Sequence, residues 1–199
     1  MTGWTIAAAE LRIPWGSTLA AHRMVVIADP GLNAVRQFNG LASWIDRPTQ
    51  SWRCKPIGYL VSDRLRGYDT MSHPRTFMPI NGITPTSRAI APAIESGAVK
   101  VLAHNLSEAD LRERLAPALQ AIKHVNSLSP GPEGGAGLPY PFLGMGRNSN
   151  SFFSTLLHVM EFDEPAFARP ARLVPGAGNL LLPSDILASL RRRSERRSA

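Results

Sequence analysis

A run of β-branched and apolar residues that leads directly into a turn sequence most strongly constrains the fold of this chain. Residues His22 to Ala28 predict a strand, and Asp29-Pro-Gly31 closes it with residues typical of turns. Residues 34–41 then alternate between apolar and polar side chains, which predicts a second strand. The two strands are predicted to form an antiparallel hairpin, which needs further strands or a helix on one face to be stable.

Two amphipathic segments predict helices that cover such a sheet. Ser107 and Asp110 form a capping signal, and apolar residues then recur at spacings of three and four. Pro117 falls inside this helix, where we expect a kink. Residues 148–162 predict a second helix, with apolar residues around so much of its circumference that we expect it to be buried. We therefore predict one α+β domain over residues 1–190, an antiparallel sheet of about five strands packed against these two helices.

The remaining segments give weaker expectations. Residues 70–97 contain several prolines and glycines, so their sequence predicts no secondary structure. We expect a strand over 99–104, a short strand over 55–59, a turn of helix over 62–65, a surface loop over 129–146 and a short helix over 184–190.

Composition excludes several classes of protein. The chain has 199 residues, of which 44% are hydrophobic and 19% charged, and this suits one globular domain. Its apolar runs fall far short of the roughly 20 residues that a membrane-spanning helix needs, and the first residues carry no secretion signal. We expect a cytoplasmic protein, or one exported by a route without an N-terminal signal peptide. A single cysteine, Cys54, excludes an internal disulfide and a cysteine-rich zinc site.

The positive charge is concentrated at the end of the chain. The formal charge is +7, and residues 191–199 hold five arginines against one glutamate. We expect a disordered tail there that is either solvated or in contact with an anionic surface. No aromatic residue is interleaved for base stacking, so we do not expect a nucleic-acid partner. The arginines of this tail are Arg191, Arg192, Arg193, Arg196 and Arg197.

The start of the second helix carries the clearest chemical signal. Common nucleotide-binding, zinc-protease and serine-elbow signatures are absent. Four small polar residues, 148–151, stand where a glycine-rich loop enters the helix, with Ser149 near the first helical position. Free backbone N–H groups and the helix dipole can stabilise a developing negative charge there. The alternative is that Asn148 or Ser149 only caps the helix.

This segment resembles the nucleophile helix of a known superfamily. Asn148-Ser-Asn-Ser-Phe152 looks like the Asn-Cys-x-x-Phe motif of circularly permuted papain-like hydrolases and acyltransferases. These include NlpC-like amidases, PPPDE isopeptidases and the lecithin:retinol acyltransferase group. Ser149 stands where the family has its cysteine, and His22 looks like its strand-opening histidine. The resemblance covers residues 18–41 and 140–160.

The resemblance implies roles for individual residues. Ser149 would attack an amide or ester carbonyl, and His22 would take its proton because a serine hydroxyl needs a base. Asn39 would orient the imidazole, with Gln37 on the same face of the strand as the alternative. Asn148, Asn150 and Gln37 are the candidate binding residues, and no metal or organic cofactor is implied.

Alternatives remain open at the level of function. Substrates of the superfamily include peptides, peptidoglycan and lipid acyl chains, and some members are bacterial toxins or effectors. A second hypothesis is a catalytically inactive relative that binds a peptide or protein partner. A third is a nucleic-acid or anionic-surface module that uses the arginine tail. In the alternative interpretations, His22 is a strand-edge residue without a role and Asn39 a turn residue before Gly40.

Overall fold

The computed structural model describes residues 2–15, 18–80, 88–129, 135–141, 145–167 and 173–198. The strands are β1 (Trp4–Trp15), β2 (Thr18–Ala28), β3 (Ala34–Asp46), β4 (Ser51–Lys55), β5 (Arg64–Asp69), β6 (Val99–Leu106) and β7 (Leu138–Pro139). The helices are α1 (Ala91–Glu95), α2 (Glu108–Ser127), α3 (Ser149–Val159) and α4 (Ser184–Ser198), with a short 3₁₀ helix at Pro74–Thr76.

All strands of the described residues belong to one antiparallel sheet, which confirms the predicted α+β class. The order is β6-β1-β2-β3-β5-β7, and β4 pairs with β3 outside this path. The seven strands described exceed the expected number of about five, because β1, β5 and the two-residue β7 were not predicted. The centre of β1 is alanine, which has little intrinsic strand preference, and pairing with β2 along its whole length overrides that preference.

The long strand β3 shares one of its edges between two partners. Near its start Phe38 pairs with Val25 of β2, and further along Ala42 pairs with Lys55 of β4. Strand β5 pairs with both Phe38 and Ala42, so it lies on the other edge. The first half of β2 is therefore separated from β3. Its backbone groups on that side need other hydrogen-bond partners.

The larger core lies between the sheet and helices α2 and α3. Phe152 of α3 packs directly over two strand glycines. A Cβ atom added to Gly40 would lie 2.7 Å from Phe152, and one added to Gly67 would lie 2.6 Å from it. Both positions thus need the absence of a side chain. A smaller core on the opposite face contains Met24, Val26, Ile80, Ile90 and Ala93.

The helix predictions are confirmed at their N-termini. The Ser107 side chain accepts from the Asp110 N–H, and the Asp110 carboxylate accepts from the Ser107 N–H. Asn148 caps α3 by accepting from the N–H groups of residues 150 and 151. The expected burial of this helix is also confirmed, since each of its residues except His158 is buried.

Two local predictions were wrong. The strand expected over 55–59 lies instead at Ser51–Lys55, where pairing with β3 fixes it. No helical turn forms over 62–65, because β5 begins at Arg64 and is hydrogen-bonded to β3 and β7. The short helix expected over 184–190 is longer than predicted, since α4 continues as far as Ser198, consistent with the good helix propensity of arginine.

Two uncertain segments are partly described. Residues 70–97 contain the 3₁₀ helix and α1, and 129–146 contain β7. Residues 81–87, 130–134 and 142–144 lie outside the described part of the chain. No described helix has both the length and the apolar character needed to cross a bilayer.

Candidate functional site

A histidine and two amides face each other across β2 and β3. Val26 pairs with Gln37, so the period-two alternation places His22 on the same face as Gln37 and Asn39. All three are buried, with 1% or less of each residue exposed. His22 was expected to open its strand, but β2 begins at Thr18, because β1 extends the pairing beyond the histidine.

Asn39 contacts the His22 ring through its carboxamide oxygen. The distance from His22 Nε2 to Asn39 Oδ1 is 3.4 Å. The Asn39 Nδ2 group donates to Gln37 Oε1 at 3.1 Å and to the Thr76 carbonyl at 3.0 Å. These two acceptors fix the orientation of the amide and leave its oxygen facing the ring. Asn39 lies inside β3, so the interpretation as a turn residue was wrong.

Gln37 extends this hydrogen-bond network to the backbone of Met78. Its Nε2 donates to the Met78 carbonyl at 2.9 Å, and its Oε1 accepts from the Met78 N–H at 2.8 Å. Its backbone N–H donates to Thr70 Oγ1 at 2.8 Å. Gln37 therefore supports Asn39 and makes no hydrogen bond to His22, which distinguishes the two candidates for orienting the ring.

The surroundings keep His22 neutral and select one tautomer. Burial lowers its pKa from 6.5 to about 4, although the hydrogen bond with Asn39 acts in the opposite direction. At neutral pH the ring holds one proton, and the Asn39 oxygen requires this proton on Nε2. Nδ1 is then an unprotonated acceptor, and it is buried with no hydrogen-bond partner among the described residues. An imidazole in this state can accept a proton.

The N-terminus of α3 binds the strand on both sides of His22. Asn150 Oδ1 accepts from the Arg23 N–H at 3.0 Å, and Asn150 Nδ2 donates to the Ala21 carbonyl at 2.9 Å. These backbone groups lie on the side of β2 that has separated from β3. Asn150 thus takes the place of a neighbouring strand and fixes the start of α3 next to His22.

Ser149, at the first position of α3, lies against an aromatic hydroxyl. Its Oγ is 3.5 Å from the Tyr140 hydroxyl, and 4% of Ser149 is exposed. Burial raises the pKa of Tyr140, so its hydroxyl is protonated at neutral pH and available to donate. Among the described residues, no hydrogen bond connects the Ser149 hydroxyl with the His22 ring. The predicted catalytic pair is therefore not hydrogen-bonded in this state.

The neighbouring polar residues attach α3 to the loop that follows it. Asn148 Nδ2 and Asn150 Nδ2 both donate to the Pro175 carbonyl, at 2.8 Å and 3.1 Å. Ser151 Oγ donates to the Gly176 carbonyl at 2.9 Å. The capping interpretation thus accounts for Asn148. Both candidate binding residues of the helix, Asn148 and Asn150, are engaged in holding the backbone.

A buried ionic group lies on the other face of β2. Arg23 Nε is 3.5 Å from Glu10 Oε2, and Arg23 Nη1 is 3.3 Å from Glu164 Oε2. Glu164 also accepts from Ser154 of α3 and, at 2.8 Å, from the Gly178 N–H. These contacts connect strand, helix and loop, and they reinforce the attachment made by Asn150.

Distant segments supply several partners of the site that no sequence motif marks. Tyr140 precedes Ser149 in a loop rich in glycine and proline, and no motif marked it. The contributions of Thr76 and Met78 come from backbone groups. Because any residue can supply a backbone carbonyl or N–H group, only the tertiary structure could identify these two partners.

Two other features do not belong to this site. A cavity of about 430 Å³ lies at the opposite end of α3, lined by Val159, Met160, Arg114 and Arg191 among others. In the described part of the chain, His, Cys, Asp and Glu side chains form no group of three that could hold a metal ion.

No family model, no curated protein and no solved structure matches this chain.

Proposed function

We propose that this protein is a serine-dependent hydrolase or acyltransferase acting on an amide or ester, with a permuted papain-like arrangement of Ser149, His22 and Asn39. The observation that carries the proposal is the state of His22. Its Nε2 faces Asn39 Oδ1 at 3.4 Å, and its buried Nδ1 has no hydrogen-bond partner in the described part of the chain. The strand segment that carries His22 is held by Asn150 at the start of α3.

In the proposed reaction Ser149 Oγ attacks the carbonyl carbon while its proton passes to His22 Nδ1. The carbonyl oxygen becomes an oxyanion at the start of α3, where the Ser149 N–H and the Tyr140 hydroxyl donate to it. As the intermediate collapses, the proton moves from Nδ1 to the leaving amine or alcohol. Water or an acceptor alcohol or amine then attacks the acyl-serine, with His22 again serving as base.

The low pKa of His22 favours serine over a thiolate mechanism. A cysteine–histidine ion pair needs a protonated imidazole at rest, whereas a serine needs a neutral one. Burial disfavours the imidazolium and holds the pKa of His22 at about 4. The imidazolium formed in each cycle would be stabilised by the Asn39 oxygen.

A second candidate function is supported by burial. Ser149 and His22 expose 4% and 1% of their surfaces and are not hydrogen-bonded to each other. Such a closed arrangement also suits a catalytically inactive domain that binds a peptide or protein partner. In an enzyme, by contrast, the residues that bury Ser149 have to move before a substrate carbonyl can reach its hydroxyl.

Covalent labelling tests the enzyme directly. The full chain is incubated with a fluorophosphonate, which phosphonylates activated serines, and the modified peptide is mapped by mass spectrometry. We expect labelling of Ser149, abolished in Ser149→Ala and strongly slowed in His22→Gln. Glutamine can still donate to Asn39 but offers no basic nitrogen. A panel of p-nitrophenyl esters and amides then surveys the substrate class.

The matched control is Ser127→Ala, which removes an exposed serine hydroxyl at the end of α2 that bonds to the His124 carbonyl. It should label at the wild-type rate. Labelling at another serine, or labelling of Ser149 that His22→Gln leaves unchanged, would contradict the catalytic pair. Absence of labelling in the wild type would favour the binding domain.

A further inference from the structure

An apolar loop tip protrudes beside the candidate site. The loop of residues 56–63 connects β4 to β5, and at its tip Tyr59, Leu60 and Val61 expose 55%, 48% and 96% of their surfaces. These three consecutive residues are half of the exposed large apolar residues in the described parts of the chain. Scattered exposed apolar residues need no explanation, but a contiguous group marks an interaction surface.

The tip is held rigidly in this exposed position. Asp63 Oδ2 accepts from the N–H groups of Tyr59 and Leu60 at 2.8 and 2.9 Å. Lys55 Nζ lies 2.8 Å from the same carboxylate oxygen and 3.6 Å from the centre of the Tyr59 ring. Burial acts to raise the pKa of Asp63, but Lys55 and these N–H donors outweigh it and lower the pKa. The carboxylate is therefore charged and holds the loop at neutral pH.

Charge surrounds the apolar tip. Residues 51–69, which comprise β4, the loop and β5, contain four basic and two acidic residues. Lys55 pairs with Asp63, and Asp69 pairs with Arg36 of β3. Arg53 is exposed and lies 3.6 Å from Asp46 Oδ2, whereas Arg64 Nη1 donates to the Val61 carbonyl at the tip. An aromatic ring and two aliphatic side chains beside Arg64 match the interface of an anionic bilayer.

The loop also connects to the candidate site. A Cβ atom at Gly58 would lie 2.4 Å from the Tyr140 ring, so loop and ring are in close contact. The Tyr140 hydroxyl in turn lies 3.5 Å from Ser149 Oγ. A partner surface that binds this loop tip therefore lies at the edge of the candidate site.

We propose that Tyr59, Leu60 and Val61, with Arg64 beside them, dock this protein on an anionic lipid surface. Leu60 and Val61 insert among the lipid chains, while Arg64 remains at the headgroups. The inference goes beyond the proposed function, because docking requires no turnover at Ser149.

Vesicle flotation of the full chain tests this docking. The vesicles contain either phosphatidylcholine alone or equal parts of phosphatidylcholine and phosphatidylglycerol. Wild type should float with the anionic vesicles and less with the neutral ones, and added salt should weaken its binding. Leu60→Ser combined with Val61→Ser should lower the partition coefficient about tenfold or more, because it removes the inserted apolar area without changing charge.

Met71→Ser is the matched control, since Met71 is another exposed apolar residue, 66% exposed, on a different loop. It should bind like the wild type. Unchanged thermal unfolding of the double variant confirms that it is folded. Equal binding by double variant and wild type would overturn the proposal and assign the attraction to other charges such as the C-terminal arginines. Absence of wild-type binding to anionic vesicles would also overturn it.

Discussion

The carboxamide oxygen of Asn39 lies 3.4 Å from Nε2 of His22, and this contact defines the chemical state of the histidine. The Asn39 amide cannot turn its NH₂ group to the ring without losing Gln37 and Thr76 as acceptors. A neutral His22 is therefore protonated on Nε2 and unprotonated on Nδ1. The nitrogen that acts as base in the proposed reaction is identified by this network.

The buried neutral state of His22 predicts a pH-dependent stability. Its pKa is about 4 in the folded chain and returns towards 6.5 on unfolding. Between these values the unfolded chain binds the proton more tightly, so the free energy of unfolding falls as the pH decreases from about 6.5 to about 4. The loss approaches about 3 kcal/mol below pH 4 and is absent above pH 7.

Urea unfolding of wild type and His22→Gln at a series of pH values measures this difference. Glutamine does not titrate, so the difference in unfolding free energy between the two proteins should change across this pH range. All other ionisable groups are the same in both proteins, so their contributions cancel in the comparison. A difference that is constant with pH would contradict the buried neutral histidine.

The hydrogen bonds of Asn150 predict a large loss of stability in Asn150→Ala. The substitution leaves the Arg23 N–H and the Ala21 carbonyl without their side-chain partner in a buried position. We expect a cost of about 2–3 kcal/mol in the free energy of unfolding, measured by urea titration. Asn179→Ala, at an exposed position, is the control and should change stability by less than about 0.5 kcal/mol. Equal effects of the two substitutions would refute the anchoring role of Asn150.

The close approach of Phe152 to β3 predicts a steric penalty in Gly40→Ala. The new Cβ would lie 2.7 Å from Phe152, so ring or strand has to move, at a cost of about 1–3 kcal/mol. Phe152→Leu removes the ring, and in that background Gly40→Ala should cost much less. A double-mutant cycle measured by urea unfolding tests this coupling. Additive effects would mean that the ring does not restrict position 40.

Sequence predicted the elements whose signals are local. The strand around Val25, the capping box at Ser107 and the Asn148 cap depend on neighbouring residues, and all three are present. Strand β1 and the arginine-rich strand β5 depend on pairing with distant strands, which composition does not reveal.

The same distinction applies to the site. Alternation along the two strands placed both Asn39 and Gln37 on the face of His22, and the structure shows that Asn39 makes the contact with the ring. Tyr140 reaches Ser149 because its loop follows β7 along the sheet edge, and the spacing of residues does not predict that path. The roles of Ser149 and His22 in a reaction remain a prediction.

The contact between Tyr140 and Ser149 predicts a kinetic effect of Tyr140→Phe. Phenylalanine retains the ring that packs on Gly58 but removes the hydroxyl 3.5 Å from Ser149 Oγ. If this hydroxyl donates to the oxyanion, fluorophosphonate labelling of Ser149 should slow roughly 100-fold, with little change in thermal unfolding. Tyr68→Phe is the control, because it removes a buried hydroxyl 2.8 Å from Ser43 Oγ. It should lower stability while labelling proceeds at the wild-type rate. Equal labelling rates in wild type and Tyr140→Phe would exclude Tyr140 from the reaction and leave it a packing role beneath the loop.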